Sequence, residues 1–149
     1  MLQLKTILVP TDCSVHSKIS LLYASRLATE FGASVTLLYV EKHSEQQKAK
    51  TATRKSEDIS NCEGEKNLKN FLESENSPEC EVNLVVLEGE VVSEIINYTK
   101  TKVVDLIVMS SHGYKGLAYS MKGSITEKVT RYANCPVLCL KNGGQHFIK

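Results

Sequence analysis

Short, nearly continuous apolar runs alternate along this chain with longer segments in which apolar residues recur at helical spacing. The short runs are rich in β-formers and predict five strands, at 5–10, 34–40, 82–87, 103–109 and 136–140. The helical stripes predict four helices, at 14–31, about 58–75, around 91–96 and at 124–133. Strands that alternate with helices in this way are typical of a parallel, doubly wound α/β sheet.

The second strand, at 34–40, is apolar at almost every position, which predicts burial on both faces of a parallel sheet. We expect a single doubly wound five-stranded sheet in the common order 3-2-1-4-5, with helices on both faces. The chain is interpreted as one domain over 1–149, with its core at approximately 5–141. The polar segment 42–60 is expected to be an exposed charged excursion, whose role the pattern leaves open.

Net charge, the length of the apolar runs and the spacing of the cysteines limit the kinds of protein that this chain could be. The 149 residues carry a net charge of +1, which argues against a nucleic-acid partner bound through a basic face. No apolar run is long enough to span a bilayer, and the N-terminus lacks a signal-peptide pattern, so the expected location is the cytoplasm. The five cysteines include no C-x-x-C pair and are expected to be reduced, mostly buried thiols.

Two unusual loops follow the first and fourth predicted strands. In doubly wound sheets, ligands bind beyond the carboxyl ends of the strands, where the strand order reverses. With the order 3-2-1-4-5, this point lies between strands one and four. The loops Pro10–Ser14 and Ser110–Gly123 would meet there, and this agreement predicts the binding site.

The fourth helix begins with Gly123-Ser124-Ile125-Thr126-Glu127. Ser124 and Glu127 form an S-x-x-E capping box, so this segment has a sufficient structural explanation as a helix start. Its first amides would also suit a phosphate, with Gly123 allowing close approach and the hydroxyls of Ser124 and Thr126 adding hydrogen bonds. Both interpretations can hold together.

Asp12 directly follows the first strand. Its carboxylate could cap the first helix, or it could hold a ribose hydroxyl or a divalent cation beside a phosphate. A carboxylate that faces phosphates without a cation would be repelled, so Asp12 indirectly suggests Mg²⁺ or Mn²⁺. Cys13 and His112 are a weak candidate nucleophile and base, because no third orienting partner is evident and the reactivity of Cys13 stays open.

The chain resembles the universal stress protein family from Lys5 to Leu140. The family signature is G-x2-G-x9-G-[ST], and Gly113 followed by nine residues and Gly123-Ser124 matches it. The segments I-L-V-P-T-D and T-E-K-V-T-R-Y-A-N-C-P-V-L are similar to the family's opening and closing elements. The chain departs at one position, because Ser110 stands where the first signature glycine is expected.

The resemblance implies a nucleotide site in these two loops. Pro10, Asp12 and Val40 would surround the adenosine, with Met109 and Ser110 beside the ribose. The phosphates would lie against Gly113, Gly123, Ser124, Ile125 and Thr126. Thr11 and His112, in the same loops, complete the candidate set. The resemblance also implies a homodimer through antiparallel pairing of the strand at 136–140.

The leading hypothesis is a nucleotide-binding universal stress protein that acts as a stress-response module through its ATP-loaded state, with an unknown downstream protein partner. ATP, ADP and AMP all remain open as the ligand. One alternative is an enzyme with slow ATP hydrolysis or nucleotidyl transfer, although no general base or H-I-G-H-like motif is evident, and no catalytic residue is assigned. The other is an ATP-independent dimeric scaffold, which Ser110 favours.

Overall fold

Five parallel strands form one sheet in the computed structural model, which describes residues 1, 3–42, 63–74, 78–111, 124–141 and 148. The sheet order is β3-β2-β1-β4-β5. The strands are β1 (Thr6–Pro10), β2 (Ser34–Glu41), β3 (Val82–Glu88), β4 (Leu106–Ser110) and β5 (Val137–Leu140). This confirms the predicted order, and it places the carboxyl ends of β1 and β4 side by side.

Helices cover both faces of the sheet. Those in the described residues are α1 (Lys18–Phe31), α2 (Glu63–Glu73), α3 (Val91–Thr101) and α4 (Ile125–Tyr132). One buried cluster joins the sheet to α1 and α2, and a second joins it to α3 and α4. The doubly wound α/β prediction is therefore confirmed. Ile59 and Cys62, expected on α2, and nearly all of the excursion at 42–60 lie outside the described residues.

Successive side chains of β1 point to opposite faces of the sheet and pack in two different buried clusters. The side chains of Ile7 and Val9 belong to the cluster that includes Leu21 of α1, whereas Leu8 belongs to the cluster that includes Val129 of α4. All three β1 residues are fully buried. Since successive side chains on a strand point to opposite faces, a continuous apolar run is what a doubly covered strand requires.

The first helix begins later than the periodicity predicts. Ser17 donates through both its amide and its hydroxyl to the carbonyl of Ser14, at 3.1 and 2.8 Å. This i to i+3 spacing forms a 3₁₀ turn, Val15–Ser17, before α1 starts at Lys18. At the other end the prediction is confirmed, because Gly32 ends α1 in the left-handed conformation with φ +66°.

The fourth strand is also shorter than predicted. It begins at Leu106 rather than Val103, whose side chain is 79% exposed. Asp105 explains the difference, because its Oδ2 accepts hydrogen bonds from the amides of Lys5 and Thr6, each at 2.9 Å. The amide of Asp105 in turn donates to the Thr6 carbonyl at 3.0 Å. A side chain thus joins the start of β4 to the start of β1.

No helix in the described part of the chain is both long enough and apolar enough to cross a membrane. Cys13, Cys80, Cys135 and Cys139 carry free thiols. The first three are half-buried and Cys139 is exposed, so the prediction of mostly buried thiols is wrong for these four. Cys62 lies outside the described residues.

Replacing Asp105 should weaken the junction of β1 and β4. We expect Asp105→Ala to lower the free energy of unfolding by about 1–2 kcal/mol, because two amides lose a charged acceptor. Asp105→Asn retains an acceptor oxygen and should lose clearly less. Urea unfolding of both variants measures the difference. Equal losses for the two variants would contradict this account of the junction.

Candidate functional site

The backbone diverges where β1 and β4 end. The amide of Thr11 donates to the carbonyl of Leu38, at 2.9 Å, so the chain leaves β1 still bound to β2. The amide of Ser111 donates to the carbonyl of Leu140, at 2.8 Å, so the chain leaves β4 bound to β5. β1 and β4 pair with each other only at Ile7 with Leu106 and at Leu8 with Ile107, before either strand ends. The helices that follow them, α1 and α4, cover opposite faces of the sheet, which is the arrangement that opens a binding crevice in this class of fold.

Asp12 lies in the turn after β1, with its side chain exposed. Its Oδ1 accepts a hydrogen bond from the amide of Ser14 at 3.0 Å, which closes a local turn. Asp12 therefore does not cap α1, whose N-cap residue is Ser17. Its carboxylate is at the carboxyl edge of the sheet, the position from which it could contact a ribose hydroxyl or a cation.

Cys13 follows with an unusual backbone conformation, φ +61°, which non-glycine residues rarely adopt. Burial raises the pKa of its thiol to about 11, and the nearby Asp12 carboxylate adds to the rise. The thiol is therefore protonated at neutral pH. Since the thiolate is the nucleophilic form, this argues against Cys13 as a nucleophile.

Ser14 is the residue at this turn that sequence analysis missed as a candidate contact. Its Oγ is buried and has no hydrogen-bond partner in the described structure. A buried hydroxyl without a partner is costly, so such a group suggests a missing polar neighbour. No sequence signal distinguished Ser14 from an ordinary helix-start serine.

The start of α4 faces the same edge of the sheet. Ser124 is the N-cap residue, and its Oγ accepts from the amide of Glu127 at 3.1 Å, as the capping box predicts. The carboxylate of Glu127 lies 3.5 Å from the guanidinium of Arg131. Helix geometry leaves the amides of Ile125 and Thr126 without intrahelical acceptors, so they are available for an anion.

Thr126 connects this helix to β4. Its buried hydroxyl donates to the carbonyl of Ser110 at 2.8 Å. The first turn of α4 is thereby held beside the end of β4. A phosphate bound at these amides would lie next to whatever group occupies the crevice, which is the proximity that a nucleotide requires.

Three further candidates are located at strand ends. Val40 and Met109 are buried, one residue before the ends of β2 and β4, and Pro10 is the last residue of β1. The side chains of Val40 and Met109 pack in the core cluster shared with α3 and α4. Any contact they make with a ligand would therefore come mainly from their backbone. His112, Gly113 and Gly123 lie outside the described residues.

The residues present fit an anionic nucleotide better than a metal bound by protein alone. Among the described residues, no group of three or more His, Cys, Asp or Glu side chains could hold a metal ion. Mg²⁺ is commonly held by one or two carboxylates together with substrate phosphates, so Asp12 fits a role beside a bound phosphate. The unpartnered hydroxyl of Ser14 adds a polar group at the same turn.

A parallel sheet of this order, with helices on both faces, defines a doubly wound α/β protein. The family model of the universal stress proteins matches residues 3–141. The universal stress protein MJ0531 of Methanocaldococcus jannaschii is 32% identical over 139 residues, which cover 92% of this chain and 82% of that protein. The chain belongs to the universal stress protein family.

Solved structures share the fold. Protein MJ0577 of M. jannaschii is 27% identical with a TM-score of 0.76, and the match covers 97% of this chain and all of that one. A universal stress protein in complex with cAMP has a TM-score of 0.72 at 17% identity, with 91% and 96% of the two chains covered. Others with this fold were solved with AMP, from Arabidopsis thaliana, and with dAMP, from Archaeoglobus fulgidus.

Proposed function

We propose that this universal stress protein is a cytoplasmic binding module for an adenine nucleotide, with ATP as its ligand and Mg²⁺ or Mn²⁺ as the accompanying cation. The observation that carries the proposal is the divergent backbone at the ends of β1 and β4. It brings the Asp12 turn and the start of α4 to one edge of the sheet. Family members bound to cAMP, AMP and dAMP support the adenine class.

The adenosine half of the ligand fits the β1 side of the crevice. The exposed carboxylate of Asp12 can accept hydrogen bonds from ribose hydroxyls. Backbone groups at Pro10 and Val40 would border the base, since the side chain of Val40 is buried. Met109 and Ser110 end β4 on the other side and would border the ribose.

The phosphate half fits the start of α4. The amides of Ile125 and Thr126 point along the helix axis, and the positive end of the helix dipole adds to their attraction for an anion. By the match to the family signature, Ser124, Gly113 and Gly123 would also contact the phosphates. A divalent cation would offset the repulsion between the phosphates and Asp12.

The described residues favour binding over catalysis. The one thiol at the crevice turn, that of Cys13, is protonated at neutral pH because its pKa is raised to about 11. A γ-phosphate in the cradle would lie against amide donors, which stabilise charge but accept no proton from water. Slow ATP hydrolysis and an ATP-independent scaffold are the two alternatives. Calorimetric titration tests the scaffold, and an assay of phosphate release tests the hydrolase.

The Asp12 carboxylate can be tested without disturbing its turn. Asp12→Asn keeps an oxygen that accepts from the Ser14 amide but removes the charge. We expect it to weaken MgATP binding about tenfold, equivalent to about 1.4 kcal/mol, in calorimetric titration. Asp105→Asn is the matched control, because it removes a carboxylate at the opposite end of the sheet and should bind like the wild type.

Each other outcome of this titration has a distinct meaning. Equal affinities for Asp12→Asn and the wild type would remove Asp12 from the site. No binding by the wild type, to ATP, ADP or AMP, would favour the scaffold. The hydrolase is tested by a separate assay of phosphate release with MgATP. Steady release by the wild type, several-fold above that of a heat-denatured sample, would favour it.

The serine at the first signature position should weaken binding slightly. A Cβ and hydroxyl at Ser110 crowd the ribose, whereas glycine would allow close approach. We expect Ser110→Gly to tighten ATP binding roughly threefold to tenfold, up to about 1.4 kcal/mol. The bond from Thr126 would persist, because it ends on the backbone carbonyl of residue 110. Ser111→Gly is the control for added backbone freedom. Weaker binding by Ser110→Gly would show that the hydroxyl contacts the ligand.

We also propose a homodimer through the edge strand β5. The carbonyls of Pro136 and Leu140 accept from the amides of Ile107 in β4 and of Ser111, the residue that follows β4. Hydrogen-bonding direction alternates along a strand, so the backbone groups of Val137 and Cys139 point to the open edge. An unpaired edge of this kind can pair with a second copy.

This geometry gives a selective test of the dimer. Cys139→Pro removes an amide that points to the open edge and leaves the ladder with β4 intact, so sedimentation should shift from dimer to monomer. Cys139→Ser keeps the amide and should stay dimeric. If the wild type sediments as a monomer at tens of micromolar, or if Cys139→Pro remains a dimer, the interface is not this strand.

A further inference from the structure

We propose that the hydroxyl groups of Thr11 and Ser17 form a relay that holds the turn after β1 and thereby positions the Asp12 carboxylate. In this proposal Thr11 and Ser17 are positioning residues and make no contact with the ligand. The inference rests on the proposed nucleotide site, because Asp12 would act there. It changes the expected role of Thr11, which sequence analysis placed among the nucleotide contacts.

The relay is a continuous series of short hydrogen bonds. Thr11 Oγ1 accepts from the amide of Cys13 at 2.9 Å and lies 2.8 Å from Ser17 Oγ. Ser17 Oγ donates to the carbonyl of Ser14 at 2.8 Å. The amide of Ser14 then donates to Asp12 Oδ1 at 3.0 Å. Every residue from Thr11 to Ser14 is thus held by this series.

The chemistry of the hydroxyls fixes the direction of the relay. A hydroxyl has one proton to donate. Ser17 gives its proton to the carbonyl of Ser14, so the bond between the two hydroxyls must be donated by Thr11. Thr11 therefore gives its one proton to Ser17 while it accepts from Cys13. Its donor capacity is used inside the turn.

The two hydroxyl residues of the relay are buried within the turn, whereas the carboxylate that they would position is exposed. The side chains of Thr11 and Ser17 are only 9% and 6% exposed, whereas Asp12 is exposed. Hydroxyls in such surroundings form stronger bonds than at the surface, and they cost more when they are left unpaired. The relay therefore lies within the turn, where it can set the backbone that carries Asp12.

The backbone of Cys13 shows why such a relay is needed. A non-glycine residue at φ +61° is disfavoured and persists only where its surroundings hold it. The bond from its amide to Thr11, together with packing of its side chain against the core cluster shared with α1, holds Cys13 in this conformation. If Cys13 returned to an ordinary conformation, the direction of the chain on both sides would change. Asp12 would then leave the edge of the crevice.

The first part of the test uses the protein without ligand. Thr11→Val has the same shape but no hydroxyl, and Thr11→Ser keeps the hydroxyl. Hydrogen exchange of individual amides, followed by NMR, should be about threefold to tenfold faster at Cys13 and Ser14 in Thr11→Val, as expected for one lost hydrogen bond. Thr11→Ser should be close to the wild type. Unchanged exchange in Thr11→Val would overturn the relay.

The second part tests whether the relay acts through Asp12. We expect Thr11→Val to weaken MgATP binding about threefold to tenfold and Thr11→Ser to bind within twofold of the wild type. In the Asp12→Asn background, Thr11→Val should cause little further loss, because the carboxylate that it positions is gone. If Thr11→Val weakens MgATP binding by the same factor in the wild type and in the Asp12→Asn background, the two residues act independently and the proposal is overturned. If Thr11→Val does not fold, Ser17→Ala takes its place, and the same binding pattern is expected of it.

The two parts distinguish this inference from the function on which it rests. If the wild type binds no adenine nucleotide, the proposed function is wrong, and the exchange rates alone decide whether the relay holds the turn. If the wild type binds ATP but Thr11→Val binds equally well, the function stands and the positioning role is wrong.

Discussion

The position of β1 between β2 and β4 is the constraint on which the rest of the structure depends. The chain leaves β1 bound to Leu38 of β2, and it leaves β4 bound to Leu140 of β5. β1 and β4 pair with each other only up to Leu8 and Ile107, and the helices that follow them cover opposite faces of the sheet. The order of the strands therefore sets the position of the proposed crevice. The side chains at its border would determine which ligand it binds.

The two covered faces of the sheet make that strand order stable. The apolar side chains of β1 alternate between two buried clusters, so the strand can lie only where helices cover both of its faces. At the opposite end from the crevice, Asp105 joins the starts of β1 and β4 through the amides of Lys5 and Thr6. The two strands are therefore joined where they begin and diverge where they end.

Local pattern was sufficient to predict the alternating strands and helices, the two covered faces and the N-cap at Ser124, because these depend on periodicity and on short-range capping. The sheet order was predicted from the arrangement that is common in doubly wound folds. It was not sufficient for the start of β4, since the bonds of Asp105 join residues about 100 positions apart. It also missed the conformation of Cys13, because a positive φ without glycine leaves no mark in the sequence. The role of Thr11 depends on Ser17, a pairing that no spacing rule identifies.

The central claim is that an adenine nucleotide binds in the crevice between β1 and β4. Hydrogen exchange of the whole protein, with and without saturating MgATP, tests it most directly because it reports every segment at once. The account predicts slower exchange in the turn from Thr11 to Ser14 and at the start of α4. It also predicts no change at the opposite end of the sheet, where β1 and β2 begin near Lys5 and Ser34. Slower exchange at the end near Lys5 and Ser34, with no change at the Asp12 turn, would contradict the account.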